Sequence, residues 1–331
     1  VGVAFSIFDP ILIPGGTIMR IAILGAGAVG GYFGARLAAG GADVTFVARG
    51  AHLAAIQRVG LRVISQRGDV HLRDVKAVDD IRKVGEVDLV IVGVKLWDTE
   101  LAAATLKPLA EQGAAVLSLQ NGVHKDEALR EHVPPEAVIG GLCYIAAVIA
   151  EPGTIRHDGT MHRIVFGEYD GTRTARIEAF YQACIAGGID ADISDEIERL
   201  IWEKYVFLVG LSATTSAIRQ TIGPIRENPA ARALLFDIMN ETVAVGRAKG
   251  VTLTPDFAED RLAFCDTLPA SMTSSMYHDL VRGKRMELAW LSGGVAALGE
   301  ELGIPTPMNR AVARILNIYA SGNKEPVSTS G

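Results

Sequence analysis

Residues 20–49, RIAILGAGAVGGYFGARLAAGGADVTFVAR, constrain this chain more than any other stretch. Ile21–Leu24 is an apolar run suited to a buried strand. It breaks into Gly25-Ala26-Gly27-Ala28-Val29-Gly30, and a helical pattern follows to about Ala39. Gly40-Gly41 stop that helix, and Val44–Val47 read as a second strand. In a strand, G-x-G-x-x-G, helix, strand unit the first glycine allows the tight turn. The second lets a pyrophosphate approach the backbone, and the third lets helix pack on strand. The helix N-terminus offers free N–H groups and a positive dipole end to the phosphates. Weighed against a bland Gly-rich turn, the flanking elements decide for dinucleotide binding over Gly25, Ala26, Gly27, Ala28, Val29 and Gly30.

The end of the second strand selects the dinucleotide. An NAD site usually places an acid there for the ribose 2′-OH. Here the strand ends Thr45-Phe46-Val47-Ala48-Arg49-Gly50, with no acid. Arg49 presents a fork of donors that suits a 2′-phosphate, so NADP is expected over NAD. The alternative is a solvated surface arginine.

The 331 residues suffice for one or two domains with a large core. With 49% hydrophobic and 21% charged residues, the composition fits a soluble globular enzyme. The net charge of −6 argues against a general nucleic-acid binder. Cys143, Cys184 and Cys265 are far apart and lack metal spacing, and they read as small core residues of a cytoplasmic protein. No apolar run approaches the ~20 residues of a membrane span. Residues 1–18 lack the basic start of a signal peptide and read as an upstream extension or start-site artefact, with a short ordered arm as the alternative.

Past Arg49, a helix at 51–58 leads to a short hairpin near 60–65 and 69–75. Leu89–Val94 is a continuous apolar run suited to a parallel strand covered on both faces. A helix at 98–111, a strand at Ala115–Leu119, a helix at 124–132 and a strand at Val138–Ile149 follow. The β/α alternation predicts a doubly wound Rossmann-type sheet. Arg49, Lys95, Asn121 and the glycine loop all fall at carboxyl ends of strands, where such sheets bind ligands. Two short strands around His157-Asp158-Gly159 suggest a hairpin, and a helix at 173–187 and a strand at 189–193 finish this domain. From Asp195 onward only helical patterns remain. They are expected at 195–220, from Asn228-Pro229 to Gly250, from Thr254-Pro255, at 271–282, at 287–302 and from Thr306-Pro307 to Ser321. The expected organisation is an extension (1–18), a dinucleotide-binding domain (19–193), an all-helical domain (194–322) and a polar tail (323–331).

Several residues can carry chemistry. Lys204 is the only charged residue from 204 to 218, in a stretch apolar on every side. It either snorkels to water beside an acid such as Glu196, Glu198 or Glu203, or acts as a proton donor. Glu287 could bind a substrate hydroxyl or support Lys204, or simply face a helix dipole. Gly293-Gly294 inside the same helix costs about 1 kcal/mol per glycine relative to alanine, which suggests close approach by another group. Thr273-Ser274-Ser275 could bond a carboxylate or cap a helix. Asn121 could hold a carboxamide or make a turn with Gly122. Lys95 could meet ribose or phosphate, or be solvated. None of the seven histidines has a spacing that suggests a metal site or a hydrolase triad.

Together, GAGAVGGYFGARLA at 25–38, VKLW at 94–97, QNGV at 120–123, WEK at 202–204, TSSM at 273–276 and Glu287 form a specific set. On these pieces the sequence resembles the ketopantoate reductase (2-dehydropantoate 2-reductase) family from about Met19 to Ser321. The resemblance implies NADPH-dependent reduction of a small 2-keto acid in pantothenate biosynthesis. It also implies a helical C-terminal domain of the 6-phosphogluconate dehydrogenase-like kind. It makes Lys204 the general acid and sets Asn121 near nicotinamide and substrate. Lys95 becomes a strand-end lysine of the active site, Ser275 binds substrate, Glu287 contacts substrate and cofactor, and Ala146 lies beside the cofactor through its backbone. The chain departs from the family at two positions. Four and eight residues past the lysine the family usually carries substrate-binding asparagines, and here stand Leu208 and Ser212. On a helix 204, 208 and 212 share a face. Leu208 cannot hydrogen-bond substrate, so a more apolar 2-keto acid is one alternative to ketopantoate, with Ser212 left to contact it. A non-enzymatic NADP-binding sensor is the other alternative. The apolar stripe at 288–302 suits a core or a homodimer equally well.

Overall fold

The computed structural model describes residues 18–322. The expectations for the N-terminal extension, Ile18 apart, and for the tail from 323 lie outside the described residues. The described residues fall into two compact units, one of 18–121 and 125–197, the other of 122–124 and 198–322.

Apolar residues on both faces of short strands build the first unit. β1 (Arg20–Leu24) sends Ile21 and Ile23 into one core and Ala22 and Leu24 into another. β6 (Leu89–Val92) divides Leu89 and Ile91 from Val90 and Val92 in the same way. This two-sided burial is why such strands read as unbroken apolar runs. Helices α1 (Ala28–Ala39) and α5 (Ala175–Ala186) cover one face, and α3 (Thr99–Glu111) and α4 (Lys125–Arg130) the other. β1 lies between β6 and β2 (Asp43–Val47), followed outward by β5 (Lys76–Val78) on one side and β7 (Ala115–Ser118) and β8 (Val138–Glu151) on the other, all parallel. β8 then pairs antiparallel with β9 (Thr154–Gly167). β9 runs parallel to β3 (Leu61–Ser65) and β10 (Asp190–Ile193), and β3 pairs antiparallel with β4 (Val70–Leu72) as the expected hairpin. Helix α2 (Gly50–Val59) connects β2 to β3. The architecture is the expected Rossmann-type α/β sheet, enlarged by a mixed wing.

The wing corrects one expectation. The turn lies at Pro152-Gly153, where Gly153 has φ +82°, and not at His157-Asp158-Gly159. Residues 154–167 form one strand. Residues 158–161 bulge out of it, because Ile145 pairs with His162 and Ala147 with His157. The two histidines flanking the bulge are buried against Tyr32 of α1. Arg67 Nε donates to His162 Nε2 at 2.8 Å, so Nδ1 carries the proton of the neutral ring and meets Tyr32 Oη at 2.8 Å. Burial, reinforced by the Arg67 charge, pushes His162 down to about 4 from its ordinary 6.5.

Five helices of at least ten residues and two shorter ones build the second unit: α6 (Ile197–Ile218), α7 (Ile222–Glu227), α8 (Pro229–Ala248), α9 (Phe257–Thr267), α10 (Ser275–Val281), α11 (Ser292–Leu302) and α12 (Pro307–Leu316). Their core gathers Tyr205, Val209, Leu235, Met239, Val295 and Val312. Asn228 caps α8 as expected, its Oδ1 accepting from the N–H groups of Ala230 and Ala231. Helix α9 begins at Phe257, later than Thr254-Pro255 suggests. The start of α12 is capped from outside its own sequence. Both Glu241 oxygens on α8 accept from it, at 2.7 Å from Met308 N and 2.9 Å from Asn309 N. The expected helix at 287–302 is two pieces, a 3₁₀ turn at Leu288–Trp290 and α11, separated by Leu291 with φ −98° and ψ −109°. Among the described residues no helix is long and apolar enough to cross a membrane, and no histidine, cysteine or carboxylate cluster could hold a metal ion.

The wing carries a pH prediction. Because the folded His162 ring resists protonation, the unfolded chain takes up a proton first, and stability is lost as pH falls from 6.5 towards about 4. Urea unfolding at neutral pH and at about pH 5 should show a smaller acid-induced loss in His162→Gln than in the parent chain. Equal losses in the two proteins contradict this placement of the proton.

Candidate active site

The glycine loop meets the geometry a dinucleotide requires, one glycine at a time. Gly25 has φ +94°, and a Cβ there would fall 2.7 Å from Val94 N. A Cβ at Gly30 would fall 2.4 Å from the Gly25 carbonyl oxygen, so this glycine lets α1 pack on the turn. At Gly27, by contrast, a Cβ would meet nothing within 4 Å, and the backbone faces open space. Gly27 is the N-cap of α1, and no acidic residue lies in the first turn. An anion therefore finds N–H donors at the helix start and no carboxylate in the helix's own first turn. The Val47 carbonyl accepts from Gly25 N at 3.1 Å and Ala26 N at 2.9 Å, which ties the loop to the end of β2.

Arg49 stands two residues past β2 as the exposed N-cap of α2, with no acid in ion-pair distance among the described residues. His52, three residues on, escaped the sequence reading. Its Nδ1 accepts from Gly153 N at 3.1 Å, which joins the start of α2 to the β8–β9 turn. Burial lowers the His52 pKa, and the neighbouring Ala26 carbonyl opposes that shift.

Lys95 and Asn121 follow the ends of β6 and β7, as expected of ligand-facing positions in an open α/β sheet. Lys95 is exposed, with Nζ 5.6 Å from the centre of the Trp97 ring. Asn121 is half-buried beside a buried glutamine, Gln120. Ala146 is the exposed residue of a β-bulge in β8, opposite the excursion of β9. The first unit thus brings the loop, Arg49, Lys95 and Asn121 to the carboxyl ends of four parallel strands.

In the second unit Lys204 lies on α6, half-buried, with Leu208 and Ser212 at successive turns of one face. Exposure falls along that face. Ser212 is fully buried, and among the described residues its hydroxyl has no hydrogen-bond partner. An orphaned hydroxyl of this kind costs about 1–3 kcal/mol unless something meets it. Ser275 is the exposed first residue of α10. The capping role in Thr273-Ser274-Ser275 falls to Ser274, which accepts from Tyr277 N at 3.0 Å. Ser274 Oγ is also 3.1 Å from Thr215 Oγ1, so the start of α10 is fastened to α6. Glu287 is buried at the start of the 3₁₀ turn, and not in the first turn of a long helix.

Tyr205, beside Lys204, is the second residue the sequence reading missed. Its hydroxyl faces two carbonyls, Trp290 O at 2.8 Å and Leu291 O at 3.1 Å, at the break between the 3₁₀ turn and α11. Complete burial raises its pKa, so the hydroxyl stays a donor. The close approach expected at Gly293-Gly294 is found here. A Cβ at Gly294 would lie 2.6 Å from His124 Cε1 and 3.1 Å from Tyr205 Oη. The residue next to Lys204 thus sets the segment that carries Glu287. Tyr205→Phe should destabilise the chain by about 1–2 kcal/mol in urea unfolding, because the Trp290 carbonyl loses the Tyr205 donor, while the Leu291 carbonyl still accepts from Val295 N at 3.0 Å. An unchanged unfolding free energy contradicts the tether.

Comparison with known proteins shows the family and the fold. Residues 21–171 match the family described as Ketopantoate reductase PanE/ApbA, and residues 196–320 match Ketopantoate reductase PanE/ApbA C terminal. The chain is 33% identical to the 2-dehydropantoate 2-reductase of Halobacterium salinarum, over 91% of this chain and 98% of that protein. The PanE/ApbA family ketopantoate reductase of Ralstonia eutropha is 34% identical in its crystal structure, with a TM-score of 0.83 over 91% of this chain and 98% of that one. The 2-dehydropantoate 2-reductase structure from Geobacter metallireducens is 33% identical, also with a TM-score of 0.83, over 91% and 99%. At 22% identity, D-mandelate dehydrogenase shares the fold, with a TM-score of 0.82 over 91% and 98%. The chain belongs to the ketopantoate reductase family of oxidoreductases.

Proposed function

We propose that this chain reduces a small 2-keto acid, with ketopantoate as the first candidate, using NADPH. The observation that carries the reading is the glycine loop, open at Gly27 and closed at Gly25 and Gly30, beside an Arg49 with no acidic neighbour. That loop holds the pyrophosphate on the α1 N-terminus, and Arg49 holds the 2′-phosphate. When bound, the nicotinamide supplies a hydride. Lys95 and Asn121 would orient cofactor and substrate, and the Ala146 backbone would help hold the cofactor. As the keto carbon gains the hydride, its oxygen takes the carbonyl electron pair, and the Lys204 ammonium stabilises that charge and gives it a proton. Ser275 binds the substrate, the expected contact from Ser212 is set aside because that side chain is fully buried, and Glu287 contacts substrate and cofactor. Such a reductase is a cytoplasmic enzyme of pantothenate biosynthesis.

A second reading concerns the substrate. Leu208 occupies the turn between Lys204 and Ser212 and offers no hydrogen bond. A site built to bond a hydroxyl loses orders of magnitude of discrimination when that contact is missing. A 2-keto acid with an apolar side chain suits Leu208 better than ketopantoate does. A panel of 2-keto acids, with NADPH oxidation as the readout, separates the readings. Higher kcat/KM for ketopantoate supports the first and higher kcat/KM for an apolar acid the second. Tight NADPH binding without any turnover points to a sensor instead.

Lys204→Ala should lower kcat by ~10²-fold or more while NADPH affinity is kept, as for loss of a general acid. Near-normal turnover removes Lys204 from the chemistry. Arg49→Asp should lower the NADPH-to-NADH ratio of kcat/KM by roughly tenfold or more, through loss of a charge-assisted contact. A persisting NADPH preference assigns the 2′-phosphate to another group.

A further inference from the structure

We propose that Gln120 is a positioning residue: its side-chain amide sets the spacing between the glycine loop and the two segments that carry Lys95 and Asn121. The inference rests on the dinucleotide reading above, but not on the choice of NADPH or of keto acid.

Gln120 follows β7 by two residues and is buried. Its Nε2 donates to the Val94 carbonyl at 2.9 Å and to Thr99 Oγ1, at the start of α3, at 2.7 Å. Its Oε1 accepts from Ser118 Oγ at 2.9 Å. The Val94 carbonyl can only accept, so the NH₂ group must face it, and the orientation of the amide is settled by chemistry. Both amide hydrogens are used, and both bind groups outside β7.

Val94 is the point where β6 meets the loop. A Cβ on Gly25 would lie 2.7 Å from Val94 N, 2.8 Å from Val94 Cγ1 and 2.9 Å from the Gly93 carbonyl carbon. The 93–94 peptide therefore presses on the glycine turn from one side, while Gln120 holds the Val94 carbonyl from the other. One amide locks together the ends of β1, β6 and β7. Lys95 is the next residue after the clamped carbonyl and the N-cap of the 3₁₀ turn at Leu96–Asp98. Asn121 is the next residue after the clamp itself.

The clamp has a firm base. The Ser118 carbonyl accepts from Lys125 Nζ at 3.2 Å, and that buried ammonium is 2.6 Å from Asp126 Oδ2. Tyr169 Oη donates to the same carboxylate oxygen at 2.6 Å. Ser118, the partner of the amide, is thus held by a buried ion pair that is costly to disturb. A methionine at 120 fills nearly the same space but leaves the Val94 carbonyl without its donor. The strand ends can then drift by the fractions of an ångström that matter at a binding site.

The test is fluorescence titration of Gln120→Met and Thr99→Val with NADPH or NADH, whichever the parent chain binds more tightly, each with and without Lys95→Ala. Gln120→Met should weaken binding about tenfold, and Thr99→Val, which keeps shape but removes one acceptor, about threefold. In the Lys95→Ala background Gln120→Met should add clearly less than tenfold, about threefold, because the part of its effect that passes through Lys95 is already lost. Unchanged affinity in the folded variants overturns the proposal, and so does a full tenfold loss on top of Lys95→Ala, which marks a merely structural role. If Gln120→Met does not fold, Thr99→Val decides by the same two criteria. A parent chain that binds neither dinucleotide overturns the dinucleotide reading itself, and the proposal with it.

Discussion

The first unit depends on how closely the backbone at Val94 approaches Gly25. No side chain fits between them, since any Cβ on Gly25 would lie well inside contact distance of Val94 and Gly93. That approach brings the ends of β1 and β6 together, and the Gly30 contact with the Gly25 carbonyl then seats α1 on the same turn. The open backbone at Gly27 is what remains on the ligand side. The open loop follows from strand packing: the glycines that permit the core also leave the N–H groups of the helix uncovered.

In the second unit the corresponding constraint is α6. Its buried face carries Tyr205, Val206 and Val209 into the helical core, and its hydroxyls fasten neighbouring segments to it. Thr215 holds the start of α10 through Ser274, and Tyr205 holds the break before α11. Ser275 and Glu287 therefore sit on segments pinned to the helix that bears Lys204. In the functional reading, a proton donor and its substrate contacts are kept in place by tethers that themselves take no part in the chemistry.

Much of this was legible in the chain. Leu89–Val94 and Ile21–Leu24 read as strands because burial on both faces leaves unbroken apolar runs, and the first of these strands itself ends at Val92. Asn228-Pro229 read as a helix start because the cap is local. What could not be read depended on partners distant in sequence. Pro152-Gly153 turns the long hairpin, but His157-Asp158-Gly159 carries an equally good local turn signal, and only pairing with β8 shows it to be a bulge. The stripe at 288–302 continues across a backbone break at Leu291, where the Tyr205 hydroxyl reaches the carbonyls of Trp290 and Leu291. Gln120 looks like a turn residue beside Asn121 until its amide is seen to reach Val94 and Thr99.

Hydride transfer itself is the central claim. The most direct measurement incubates the chain with a 2-keto acid and NADPH deuterated at the transferring position of the nicotinamide, and reads the isotope in the product. The product should be a 2-hydroxy acid carrying one deuterium on the former keto carbon. Oxidation of the cofactor with no deuterium on that carbon, or no product from any 2-keto acid offered, contradicts it.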